Sequence, residues 1–212
     1  MNVHCLTFNP MSENTYLLAD PDTREAVLID PGCYGAGEEQ HLKQYLRKHR
    51  LELSQVLLTH AHLDHIFGCE YVYRSFGLMP RMHPLEVQVW DDAPQRGMLY
   101  GFPFELPDRH PTPIEIGETI KVGAYELLTR FVPGHSPGSV AFYCATSGFV
   151  VAGDTLFRNS IGRTDFTGGH LPTLLTSITR ELLTLPDATV VYSGHGASTT
   201  VGAERANNPF LK

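Results

Sequence analysis

Short apolar and β-branched runs alternate with polar turns through the first thirty residues, and three strands are predicted at 3–8, 15–19 and 26–29, the last running into Asp30-Pro31-Gly32. From Gly37 to about His49 the period changes. Leu42, Tyr45 and Leu46 recur at three-to-four spacing, Glu38 and Glu39 stand in the first turn and basic residues in the last, which predicts an amphipathic helix. The apolar run 54–59 reads as a fourth strand. A helix is expected from Ile66 to about Phe76, with Cys69, Val72, Tyr73 and Phe76 on its apolar side. Residues 84–113 hold Pro84, Pro94, Pro103, Pro107, Pro111 and Pro113, which predicts a broken helix followed by an irregular excursion. Strands resume at 119–122, 125–131, 140–144 and 149–152. A helix over about 172–183 carries Leu174, Leu175, Ile178 and Leu182 inward, and a last strand covers 188–192. Each half thus has strands and covering helices, a pattern satisfied by two facing sheets with helices outside.

Composition narrows the class. At 212 residues and 42% hydrophobic content the chain can bury a full core, and its length fits one domain, 1–212. A formal charge of -7 argues against general affinity for a nucleic-acid backbone, so a small-molecule partner is expected. Cys5, Cys33, Cys69 and Cys144 form no Cys-x-x-Cys pair, which suits a cytoplasmic protein with reduced thiols. No signal-peptide pattern opens the sequence and no apolar run approaches membrane-spanning length, so neither secretion nor a membrane partner is expected. The sequence carries no signal for oligomeric state.

The chemistry concentrates at His60-Ala61-His62-Leu63-Asp64-His65, directly after the predicted strand 54–59. Side chains of an extended segment alternate in direction, so His60 and His62 can reach one point, while Asp64 and His65, past the turn, reach another. Two such clusters suggest two metals. Three imidazoles and a carboxylate packed together without metal would crowd titrating groups that lack partners. The spacing also differs from the zinc-protease helix, whose two histidines stand four apart around a glutamate. His4, His41, His49, His83, His110 and His170 have no such company and are expected to be ordinary surface or core residues. Three later motifs repeat the design of a ligand type just beyond a strand: Pro133-Gly134-His135-Ser136, Gly153-Asp154-Thr155 and Ser193-Gly194-His195-Gly196. Glycine there lets the backbone turn sharply beside a metal or substrate.

The order His-x-His-x-Asp-His, Pro-Gly-His, Gly-Asp-Thr and Gly-His resembles the metallo-β-lactamase superfamily, and within it the glyoxalase II (hydroxyacylglutathione hydrolase) group. The chain ends 17 residues after His195, and the resemblance is therefore to the short bacterial type without the C-terminal helical domain. It implies an α/β, αββα sandwich of two facing mixed sheets. It further implies His60, His62 and His135 on a first metal, Asp64, His65 and His195 on a second, and Asp154 bridging both. Such a donor set suits two divalent ions, zinc, iron or a mixture of the two. Hydroxide held by them and positioned by Asp64 and Asp154 would attack a thioester, an acyl-glutathione such as S-lactoylglutathione, whose thiolate leaves readily. Arg163, in Ile161-Gly162-Arg163-Thr164-Asp165-Phe166, falls where relatives place a cation on the glutathione glycine carboxylate. Read from its neighbours alone, it can instead pair with Asp165 or a neighbouring carboxylate. Two alternatives share the motifs: a mononuclear iron persulfide dioxygenase using His60, His135 and Asp154, and a lactonase or other ester hydrolase.

Overall fold

Three antiparallel strands, β1 (Asn2–Phe8), β2 (Glu13–Ala19) and β3 (Glu25–Ile29), open the computed structural model, which describes residues 1–212. Helix α1 (Gly35–His49) crosses to the parallel strand β4 (Glu52–Leu57), and a single turn, α2 (Leu63–Ile66), precedes α3 (Cys69–Phe76). Short parallel strands β5 (Pro80–Met82) and β6 (Thr112–Pro113) complete a six-stranded mixed sheet on either side of α4 (Val87–Tyr100).

The second half supplies β7 (Thr119–Val122), β8 (Tyr125–Phe131), β9 (Val140–Cys144) and β10 (Phe149–Gly153), then a ribbon of β11 (Leu156–Phe157) and β12 (Ser160–Ile161). After α5 (Leu171–Ser177), β13 (Val190–Ser193) pairs parallel to β10, β14 (Thr199–Thr200) lies at the edge, and α6 (Val201–Asn207) follows. The second sheet runs β14-β13-β10-β9-β8-β7.

Strand β2 is buried throughout because its alternating side chains serve two cores. Tyr16 and Leu18, with Val27, Ile29 and Leu57, face Ile120, Leu127, Phe142 and Val151 of the other sheet. Leu17 and Leu28 face outward onto Leu42 and Leu46 of α1. On the opposite side, Val150 and Val191 pack beneath Leu174, Ile178 and Leu182. The result is the expected αββα sandwich, each fully buried aliphatic side chain contributing about 1.5–3 kcal/mol. No helix is long and apolar enough to cross a membrane.

Three elements differ from the sequence expectation. Residues 87–100 form one continuous helix with Pro94 inside it, because burial of Val89, Trp90, Ala93 and Gly97 outweighs the hydrogen bond that proline cannot donate. The helix expected from Ile66 instead splits into α2 and α3, so Asp64 and His65 ride on a helical turn. The helix expected over 172–183 passes from α5 into a π-helical turn at Ile178–Leu182.

Candidate metal centre

The histidine segment follows β4, His135 follows β8, Asp154 follows β10 and His195 follows β13, so four strand ends bring all seven residues to one edge of the sandwich. Donor atoms of His60, His62 and His135 lie within 4.8 Å of one another, and so do those of Asp64, His65 and His195. Asp154 stands between the two sets. Its Oδ1 is 3.4 Å from His65 Nε2, and its Oδ2 is 3.6 Å from both His135 Nε2 and His195 Nε2. Asp64 Oδ2 lies 3.1 Å from His195 Nε2.

The rings are oriented from behind. His60 Nδ1 faces Thr59 Oγ1 at 3.0 Å, His65 Nδ1 faces Asp30 Oδ2 at 3.0 Å, His135 Nδ1 faces the Arg163 carbonyl at 2.7 Å, and His195 Nδ1 faces the Met11 carbonyl at 3.1 Å. An oxygen behind Nδ1 turns Nε2 toward the centre, the arrangement that steadies imidazole ligands. Asp30 comes as close to His60 and His65, but its oxygens are engaged by Thr59 N–H at 2.7 Å, Thr59 Oγ1 at 2.6 Å and His65. It therefore orients the centre from behind. Asn9 Nδ2 donates to the Asp64 carbonyl at 2.9 Å and so fixes the helical turn beneath.

Buried polar atoms nearly always find partners. Here His60 Nε2, His62 Nε2, His65 Nε2 and Asp154 Oδ1 are buried with none. All four are metal-donor types, and a divalent cation in each set would satisfy His60 Nε2, His65 Nε2 and Asp154 Oδ1, while His62 turns its Nδ1, 2.9 Å from His135 Nε2, toward the first set. Electrostatics divide the imidazoles in the same way. Burial and the neighbouring rings hold His60 well below the ordinary histidine value, His62 is lowered to about 3, and burial lowers His135. Burial also opposes charge on His65 and His195, but Asp154 and Asp64 outweigh it and raise both. Burial works against ionisation of Asp64 and Asp154 too, yet His65 beside them keeps both carboxyls low.

Gly194 is required by close approach. A Cβ there would run into Asp154 Oδ1 and stand 2.6 Å from His65 Cε1. Gly194→Ala is expected to lower bound metal by about one equivalent per chain with the circular dichroism spectrum unchanged. Full metal content in that variant, measured by atomic absorption, would show that the backbone there has room to move.

The seven residues line or underlie a cavity of about 990 Å³ whose rim carries Arg96, Arg158 and Arg163 beside Tyr100, Phe102 and Phe166. Arg163 donates to Asp165 through Nε at 2.7 Å and Nη2 at 2.6 Å, and its guanidinium lies 4.1 Å from the centre of the Phe166 ring. The structure thus places Arg163 at the cavity and also forms the Asp165 pairing that the sequence left open. Arg158, exposed at the tip of the β11–β12 ribbon, has no hydrogen-bond or ion-pair partner, and nothing in its sequence setting marks it. The remaining histidines lie outside the centre: His4 contacts Tyr45, His83 caps the 3-10 turn before α4, His110 pairs with Asp91 and His170 with Thr173.

The family model of the Metallo-beta-lactamase superfamily matches residues 8–195. The chain belongs to this superfamily, whose members bind divalent metals, and it is a metallo-hydrolase. It is 41% identical over 205 residues to the probable metallo-hydrolase YqgX of Bacillus subtilis, covering 95% of this chain and 93% of that protein. It is 34% identical over 215 residues to the hydroxyacylglutathione hydrolase GloC of Haemophilus influenzae, covering 100% and 98%. Among solved structures it is similar to TTHA1623 in a di-iron-bound form, with a TM-score of 0.87, 36% identity and coverage of 99% and 100%.

Proposed function

We propose that this protein hydrolyses acyl-glutathione thioesters such as S-lactoylglutathione, using two divalent metal ions. His60, His62 and His135 would hold one and Asp64, His65 and His195 the other, with the Asp154 carboxylate standing between the two sets. The observation that carries the reading is Asp154, one carboxylate within 3.6 Å of imidazoles from both sets, at the floor of a cavity with a cationic rim. Zinc or iron bound there supplies Lewis acidity and a water acidic enough to ionise near neutral pH. Asp64 and Asp154, held low, stay ionised and orient the attacking water. The leaving thiol has a pKa near 8.5, so it departs as thiolate without needing a strong general acid. The similarity to GloC supports the same substrate class.

Glutathione carries two carboxylates, and of the three rim guanidiniums Arg158 and Arg163 are placed to receive them, Arg96 lying 3.7 Å from the Asp92 carboxylate on its own helix. Arg163 must exchange Asp165 for substrate, whereas Arg158 has nothing to give up. Arg158→Ala is therefore expected to raise KM about tenfold with kcat nearly unchanged, equivalent to one charge-assisted hydrogen bond of about 1.5 kcal/mol. Arg163→Ala is expected to raise KM only a few-fold, and a simple thioester lacking carboxylates should be cleaved alike by all three proteins. Equal impairment on that control substrate would remove both arginines from substrate recognition.

The reading itself is tested on one sample of purified protein by metal content, thiol release from S-lactoylglutathione, and oxygen uptake with glutathione persulfide. Two metal equivalents with thiol release are expected. Oxygen uptake without thiol release would overturn the thioesterase reading in favour of the dioxygenase.

A further inference from the structure

Glu86 is fully buried, and no cation is paired with it. Placing a carboxylate in the interior without a counter-charge is costly unless hydrogen bonds replace its hydration. Those bonds come from both metal-ligand loops. Glu86 Oε2 accepts the Ala61 N–H at 2.8 Å, Oε1 accepts the Gly138 N–H at 2.6 Å, and the Ser136 hydroxyl donates to the pair at 2.6 and 2.8 Å. Ala61 lies between His60 and His62, and Ser136 adjoins His135. Glu86 also directly precedes α4, whose Val89, Ala93, Arg96 and Tyr100 line the cavity. Gly138 leaves the space it occupies, since a Cβ there would stand 2.9 Å from Glu86 Cγ and from its backbone nitrogen.

We propose that Glu86 is a positioning residue that fixes the His60–His62 loop against the His135 loop and thereby sets the metal affinity of the His60/His62/His135 set. The proposal rests on the metal reading of the centre above. A carboxylate is needed because each of its oxygens faces a backbone N–H. The amide of glutamine would turn an NH2 group toward one of them and leave that donor unpaired.

The test is zinc titration against a competing chelator in a His195→Ala background, where only the His60/His62/His135 set keeps all its imidazoles. Glu86→Gln is expected to weaken zinc binding about 10- to 100-fold. Glu204→Gln is the control, because Glu204 is a buried carboxylate that accepts from Asn159 N–H, Thr199 Oγ1 and Asn208 Nδ2 away from the ligand loops. It should lower thermal stability but leave zinc affinity within about twofold. Ser136→Ala, which keeps Glu86 and its two backbone bonds, should weaken zinc about three- to tenfold, and it decides the matter if Glu86→Gln does not fold. Wild-type affinity in Glu86→Gln or Ser136→Ala, or equal weakening in Glu204→Gln, would overturn the proposal. A parent protein that binds no zinc would overturn the metal reading and this proposal with it. Tight zinc binding by the wild-type protein without thiol release would overturn only the substrate reading.

Discussion

Asp154→Ala is expected to lower kcat/KM for S-lactoylglutathione by at least roughly a thousand-fold, about 4 kcal/mol of transition-state stabilisation. Its Oδ1 faces His65, and its Oδ2 faces His135 and His195. Removing it therefore takes an anion from both metal sets at once. The surrounding imidazoles would then attract cations without a carboxylate between them, and both metals should bind more weakly. Asp154→Asn keeps the shape but replaces one oxygen by an NH2 group facing ring nitrogens, so it should fail almost as badly. The circular dichroism spectrum should stay native, because the hydrophobic layers on either side do not depend on Asp154. Near-normal turnover by Asp154→Ala with two metal equivalents bound would contradict the bridging role.

The seven ligand-type residues stood out in the sequence because each of their motifs follows an apolar run of strand length and lies beside a glycine or a turn. Alternation along His60-Ala61-His62 predicts that the two rings reach one point, and the structure brings them together with His135, whereas Asp64 and His65 lie near His195 on a helical turn. The residues behind the ligands were harder to see. Asp30 stood in plain view in Asp30-Pro31-Gly32, also directly after a strand, but its side chain turns toward Thr59 and His65 only through tertiary packing. Glu86 carried no local signal, since its partners are 25 and 52 residues distant. The proline-rich segment 84–113 misled about α4 because the energy that holds Pro94 in a helix comes from the buried face around Trp90, which local propensity does not register. Strands β5 and β6 were invisible for a related reason, since strands of three and two residues derive their order from the neighbours they pair with.

Metal loading is expected to depend on pH differently at the two sets. A metal binds a neutral imidazole, so a ring that holds a proton must release it first. A raised pKa lets the proton compete up to higher pH, and affinity then rises with pH until that pKa is passed. A lowered pKa means that competition has already ended. His65 and His195 are raised by the carboxylates of Asp154 and Asp64, which outweigh burial, whereas burial and neighbouring rings lower His60 and His62, and burial lowers His135. Zinc affinity of the Asp64/His65/His195 set should therefore rise up to about 100-fold per pH unit while both its rings are protonated, and that of the His60/His62/His135 set should be nearly flat above about pH 6.5. At one fixed, buffered zinc concentration the protein should hold about one equivalent near pH 6 and approach two as the pH rises through the raised values of His65 and His195. An indicator dye in weak buffer should record almost no proton release on the first equivalent and up to about two protons on the second. Filling of both sets together near pH 6, with equal proton release at each step, would contradict this division of charge within the centre.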